Sequence, residues 1–263
     1  MVRRWCIPLA GAALVVGSVA ASAPAAAAGR VSHAPAVVHQ VRPGGRMIRP
    51  GSPLIGHSFS RNASQSTNWS GYAATGRFTS VSATWTEPAG HCTSATRYAS
   101  FWVGLDGFNS NTVEQTGSDV DCSGGSPVYY SWYEMYPAYP VNFRNTVRPG
   151  DHLFGSVTFN GGSGYTLVLQ DTTRGWSHTV HKTRTGAQHS SAEVIAEAPS
   201  SVSILPLTNF GTAHFSNAKV NGAAMGSASP TKLSMVNGGG RAKVSVSALA
   251  GGRAFSVKWL HST

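Results

Sequence analysis

The residues able to do acid–base or amide chemistry gather first in the stretch from Phe101 to Gly117, which sets Trp102, Asp106, Glu114 and Gln115 close together. The whole chain has only ten acidic residues, so this concentration stands out. A carboxyl group can carry a proton to or from a reacting atom, and a neutral amide can donate to a developing oxyanion. Two further groups of residues offer similar chemistry. Glu134 stands among Tyr130, Trp132 and Tyr136, and Glu193 and Glu197 stand four apart in Ser191-Ala-Glu-Val-Ile-Ala-Glu197. On a strand those two acids share a face, with Cα atoms about 13 Å apart. Glycosidase carboxyls need about 5–9.5 Å, which disfavours a glycosidase pair within that strand. An aromatic face with one acid suits a peptide groove, and it suits a sugar-binding platform nearly as well.

Other chemistries lack their signatures. The sequence has no Gly-x-Ser-x-Gly elbow, no His-Glu-x-x-His and no Asp-Thr-Gly. His178 and His181, three apart on a strand, point to opposite faces and make a poor metal pair. No metal and no cofactor is expected. Of the three cysteines, Cys6 lies in an N-terminal export signal, which leaves Cys92 and Cys122 as a pair in an exported product. A disulfide follows, closing a loop around the 101–117 stretch.

These residues need a scaffold, and the chain divides before it supplies one. Met1 to Arg4 is a basic start, Ile7 to Val19 is apolar, and small residues run to Ala28. That order reads as a signal peptide over 1–28, too short in its apolar core for a membrane span. Residues 29–62 carry Arg30, Arg42, Arg46, Arg49 and Arg61 and no acid, and read as a flexible basic propeptide. From residue 63 onward come 13 Lys and Arg against all ten acids, a net charge of about +3 within the total of +10. The high total charge therefore owes much to the leader, and the bases cluster on no nucleic-acid-binding element. A secreted monomer with no membrane or nucleic-acid partner is expected.

Residues 63–263 alternate with a period of two nearly throughout. Val81, Ala83 and Trp85 share one face of Arg77–Thr86. Tyr130, Trp132, Glu134 and Tyr136 share one face of Val128–Tyr136, and Tyr165, Leu167 and Leu169 share one face of Tyr165–Asp171. Turn signals separate such runs, among them Arg148-Pro-Gly-Asp151 and Gly161-Gly-Ser-Gly164. No window has a helical period with caps. Roughly a dozen strands exceed one open sheet, so the prediction is an all-β sandwich of two packed antiparallel sheets.

Asn68-Trp-Ser-Gly-Tyr72, Val81-Ser-Ala-Thr-Trp85, Trp102-Val-Gly-Leu-Asp-Gly107, Glu114-Gln-Thr-Gly117, Tyr130-Ser-Trp-Tyr-Glu-Met-Tyr-Pro137 and the 191–197 segment occur in the order of the glutamic peptidase (eqolisin) family. The resemblance runs from about residue 66 to 200. It implies a secreted lectin-like sandwich made with a leader and propeptide, acting on polypeptides through a Gln/Glu dyad. By position in the motifs Gln115 resembles the Gln of the dyad and Glu197 its Glu. Trp102, Asp106, Asp119, Trp132 and Glu134 fall where that family lines or supports its site. The basic propeptide becomes a candidate inhibitor. Val194 and Ala198-Pro199 depart from the fungal pattern. The latter removes an acidic neighbour, so a lowered pKa is expected for Glu197. A non-catalytic glycan-binding sandwich and a glycosidase pairing Glu134 with Glu193 or Glu197 stand as alternatives.

Overall fold

The computed structural model describes residues 63–108, 110–200 and 204–263, together with Met47–Ile48. The predicted signal peptide and nearly all of the predicted propeptide lie outside the described residues.

Seventeen strands, numbered in chain order, form two sheets. The first runs β1 (Met47–Ile48), β2 (Ala63–Ser66), β15 (Thr231–Met235), β3 (Trp69–Thr75), β12 (Ser191–Glu197), β5 (Ser100–Leu105), β6 (Val113–Ser123), β7 (Ser126–Tyr136), β8 (Val141–Asn142). The second runs β11 (Trp176–Thr183), β10 (Gly164–Asp171), β9 (His152–Gly161), β4 (Ser80–Thr86), β13 (Thr212–Val220), β17 (Phe255–Trp259), β16 (Val244–Val246), with β14 (Ala223–Ala224) beside β13. The pairings are antiparallel except β2 with β15. The predicted all-β sandwich is the observed architecture.

Alternation decides which strands lie where. β4 and β10 bury every second side chain and half-expose the rest, the pattern of a sheet with one wet face. β5 and β12 are buried at every position and β6 at nearly every one, so both faces of these central strands are covered. Phe101, Val103 and Leu105 of β5, with Val194 and Ala196 of β12, join Trp85, Leu153, Val157, Leu167 and Leu169 in the core between the sheets. The opposite face carries a separate cluster of Trp69, Trp102, Trp132 and Ile195. The first sheet is therefore a partition: apolar packing on one side, the candidate chemistry on the other.

The longest pairing joins β6 to β7 over eleven residues. Its turn is Gly124-Gly125, with φ of 57° and 84°. Two consecutive positive-φ residues match the right-handed twist of the hairpin they close, and glycine adopts them at least cost. Cys92 and Cys122 are bonded as predicted. The bond ties the chain leading into β5 to the far end of β6, beside the reciprocal backbone pair of Arg97 and Cys122.

With a sequence separation of 30, this bond should contribute about 3–4 kcal/mol on the chain-entropy estimate. Replacing both cysteines by serine should lower the urea-unfolding free energy by that amount. No change between oxidised and serine forms would show that the loop is held by packing alone.

Candidate active site

Strand register sets the candidate residues in cross-strand rows on the outer face of the first sheet. One row is Trp69, Glu197, Ser100, Asp119 and Tyr130, on β3, β12, β5, β6 and β7. The next is Gly71, Ile195, Trp102, Gly117 and Trp132, and the third is Ala73, Glu193, Gly104, Gln115 and Glu134. Because paired residues point the same way, all the acids and amides in these rows share one face. Glu114, one residue from Gln115, takes the opposite face, where its neighbours include Asp106, Arg184 and Tyr165.

Gln115 and Glu197 lie on strands separated only by β5 but four residues apart along them, about 16 Å between Cα atoms, whereas Glu193 is level with Gln115 at about 10 Å. Gln115 shares its own row with Glu193, with Gly104 between them. Trp102 spans the distance. Its indole Nε1–H donates to Glu197 Oε2 at 2.8 Å. Its benzo edge leans over Gly104, where a Cβ would stand 3.0 Å from Trp102 Cζ3 and 3.2 Å from Gln115 Cβ. One rigid ring therefore touches the acid and borders the amide. Gly117 permits this, since a Cβ there would fall 2.6 Å from Trp102 Cβ and 2.3 Å from the Phe101 carbonyl.

Each functional side chain is held by others. Glu197 also accepts from Asn68 Nδ2 at 3.0 Å. Asn68 itself is anchored to Ser66, whose hydroxyl donates to Asn68 Oδ1. Gln115 Nε2 donates to Glu134 Oε2 at 2.6 Å, which leaves the second amide hydrogen for another acceptor. Gln115 Oε1 and the Trp69 indole nitrogen are buried without a hydrogen-bond partner among the described residues, as are both oxygens of Glu193. Orphaned buried polar groups are rare in folded proteins and collect at working sites.

Asp119 accepts from the indole of Trp132, and Tyr130 donates to the neighbouring Asp121. Asp106, at φ 67°, spends its carboxylate on the backbone N–H groups of Gln188, His189 and Ser190. It thereby fixes the chain just before β12, and so the strand that carries Glu193 and Glu197. Asn68, Trp69 and Glu193 belong to the site face although motif reading singles out none of them for it. The signal for Asn68 was its place beside Trp69 in the first motif. For Glu193 it was the four-residue spacing to Glu197.

Burial dominates the electrostatics. Glu197 is pushed up to about 8, chiefly by desolvation, with the charge of Asp119 adding and the Trp102 and Asn68 donors opposing. This corrects the lowered pKa expected from Ala198-Pro199: losing an acidic neighbour matters less than losing water. Glu114 is likewise pushed to about 8 by burial and by Asp106, and burial drives Glu193 well above the usual carboxylate range.

Carboxyls with raised pKa values bind protons more tightly in the folded than in the unfolded chain. Their contribution to stability is fully present below the ordinary Glu range and is lost as pH rises through about 8. Urea-unfolding midpoints should therefore be highest near pH 4 and fall steadily to pH 9. A midpoint that rises over that span would overturn the reading.

Residues 67–259 match the Peptidase A4 family. No curated protein matches the chain. Among solved structures, scytalido-glutamic peptidase with a transition-state-analog inhibitor superposes with a TM-score of 0.66 at 24% identity, covering 74% of this chain and 98% of that one. SCP-B, an eqolisin-family peptidase in complex with the tripeptide Ala-Ile-His, gives 0.61 at 22% identity over the same shares. Aspergilloglutamic peptidase from Aspergillus niger gives 0.57 at 27% identity, covering 62% of this chain and 99% of that one. The profile match over residues 67–259 and the shared sandwich lead to one conclusion: the chain belongs to the Peptidase A4 family, the glutamic peptidases.

Proposed function

We propose that this glutamic peptidase cleaves polypeptides with Gln115 and a glutamate of β12 as its working pair, Glu197 by its place in the motif, with Glu193, which shares the row of Gln115, as the alternative base. The observation that carries the reading is the ring of Trp102, hydrogen-bonded to Glu197 and seated against the backbone beside Gln115. Ionised Glu197 takes a proton from water, and the hydroxide formed attacks the peptide carbonyl. The amide hydrogen of Gln115 not engaged by Glu134 donates to the oxyanion. Glu197 then delivers its proton to the leaving amine. A second carboxylate in place of Gln115 would repel the first and offer no donor when ionised. Glu134 holds the amide in orientation, Asn68 and Trp102 hold the carboxylate, and the Trp69, Trp132 and Tyr130 face takes an extended substrate. No step calls for a metal or cofactor.

Two opposing trends shape the pH dependence. The ionised fraction of Glu197 grows as pH rises toward about 8, while the stability contributed by the buried acids falls over the same interval. Because falling stability limits activity only where the fold is lost, activity should climb as pH rises toward about 8.

On a generic protein substrate, Gln115→Ala should lower kcat by about 10²–10³-fold, the cost of one oxyanion donor. Glu197→Gln should abolish turnover, with both variants keeping native near-UV circular dichroism. Wild-type-like cleavage by either variant would sink the dyad, and glycan binding without proteolysis at any pH would favour a lectin.

The leader fits this reading as an export signal over 1–28 and a basic inhibitory propeptide over 29–62, supported by its five arginines and lack of acids. Incubating the full-length form between pH 3 and 7 should release activity faster toward acid, as protonation of Asp119, which burial raises to about 6, weakens arginine–carboxylate pairing. Equal activity of full-length and processed forms at every pH would end the propeptide idea.

A further inference from the structure

Away from the site face, two adjoining hollows of 520 and 370 Å³ share Pro206, Ser262 and Thr263. The larger holds Lys243, which is only 3% exposed. A buried ammonium ordinarily has a carboxylate beside it. Lys243 has none: the ion pairs among the described residues are both made by Arg174, with Asp151 and Asp171. Its backbone is fixed in place. The N–H bonds to the Met235 carbonyl, and its own carbonyl accepts from Leu260 and His261. Burial lowers the ammonium to about 8, so it remains charged throughout the acid range.

The surroundings repeat the pattern. Among the described residues, Ser262 Oγ, in a residue that borders both hollows, is buried without a partner, and so are Arg97 Nε and Trp259 Nε1 beside the smaller one. Arg241 completes the basic rim, bonded to His261. Among the described residues, no acidic side chain lines either hollow. Ile204, Leu205, Pro206 and Val236 give the same hollow an apolar lining. The donor set asks for an anion, and the wall asks that the anion carry an apolar group.

We propose that this basin is an exosite for the C-terminal carboxylate of a peptide, with Lys243 taking the anion and the Ile204–Val236 wall taking the terminal side chain. The proposal rests on the peptidase reading for the source of its ligand, since peptide hydrolysis generates such carboxylates. Its position suits that source. Thr67 lines the larger hollow and is followed in the chain by Asn68, which holds Glu197. A peptide end gripped here lies next to the elements that carry the acid half of the dyad. A free inorganic anion would satisfy the donors but leave the wall unused.

The test is equilibrium binding, which does not depend on turnover. N-acetyl-Leu-Val as the free acid, its C-terminal amide, and inorganic phosphate are titrated at pH 6 and constant ionic strength into the Glu197→Gln protein, by calorimetry and thermal shift. The acid should bind and raise the melting temperature, and the amide should bind at least about tenfold more weakly, as expected for one charge-assisted hydrogen bond. Lys243→Met should erase the difference between acid and amide, and Arg97→Gln should reduce it. Lys243→Met should fold at least as well as the parent, because an unpaired buried charge becomes an apolar chain of similar length. Equal binding of acid and amide, or an acid preference untouched by Lys243→Met, would overturn the exosite. Phosphate binding as tight as the peptide acid would overturn the peptide assignment. Loss of proteolysis in the dyad variants alongside any of these results would leave the catalytic reading intact.

Discussion

The structure depends on keeping carboxyl groups out of water. Nine of the ten acidic side chains are buried, and Asp121 is half-buried. An isolated carboxylate in an apolar interior is costly enough that it either takes up a proton or gathers donors. The fold does both. Asp106 collects three backbone N–H groups, Asp119 and Glu197 each take an indole N–H, and Glu197 adds an amide. Glu193 and Glu114 gather little and are raised instead. Trp102 and Trp132 are thus electrostatic elements as well as apolar ones: each presents a wide dry surface and one donor directed at an acid.

The strand order makes this arrangement possible. β5, β6 and β7 follow one another in sequence and pair as a meander. β12 enters between β3 and β5 only after the chain has built β9, β10 and β11 of the other sheet. Glu197 therefore reaches the meander through a long excursion, and its alignment cannot rest on local turn chemistry. Asp106 supplies the alignment. Seated at the end of β5, it binds the backbone leading into β12, so the register of Glu193 and Glu197 against Gly104 and Ser100 is pinned at one end. A slip of one residue would turn both acids into the core.

What the sequence discloses is what a single strand discloses. Alternation in Val128–Tyr136 places Glu134 with Tyr130, Trp132 and Tyr136, and the Gln115–Glu114 pair must split between faces. These statements need only the period of two, and they match the structure. Lateral neighbours are different, because they depend on which strand inserts beside which. Nothing local to residues 191–197 reveals that Glu193 shares a row with Gln115, nor that Glu197 is opposite Trp69. The expected effect of Ala198-Pro199 on Glu197 misled for the same reason. It weighed chain neighbours, whereas the environment is set by Trp102 and Asn68 from other strands. Lys243 was invisible too, since no pattern in Arg241-Ala-Lys243 distinguishes a buried ammonium from a solvated one.

Burying the acids also changes what the exterior can do. With nearly every carboxyl inside, the exposed charge of the domain is almost wholly positive, and acid cannot strip it of surface carboxylates. Acid denaturation ordinarily proceeds by protonating carboxylates that the native state keeps ionised; here several have already been driven toward the protonated form by burial. Both consequences arise from one economy of sequence, ten acids spent almost entirely in the interior.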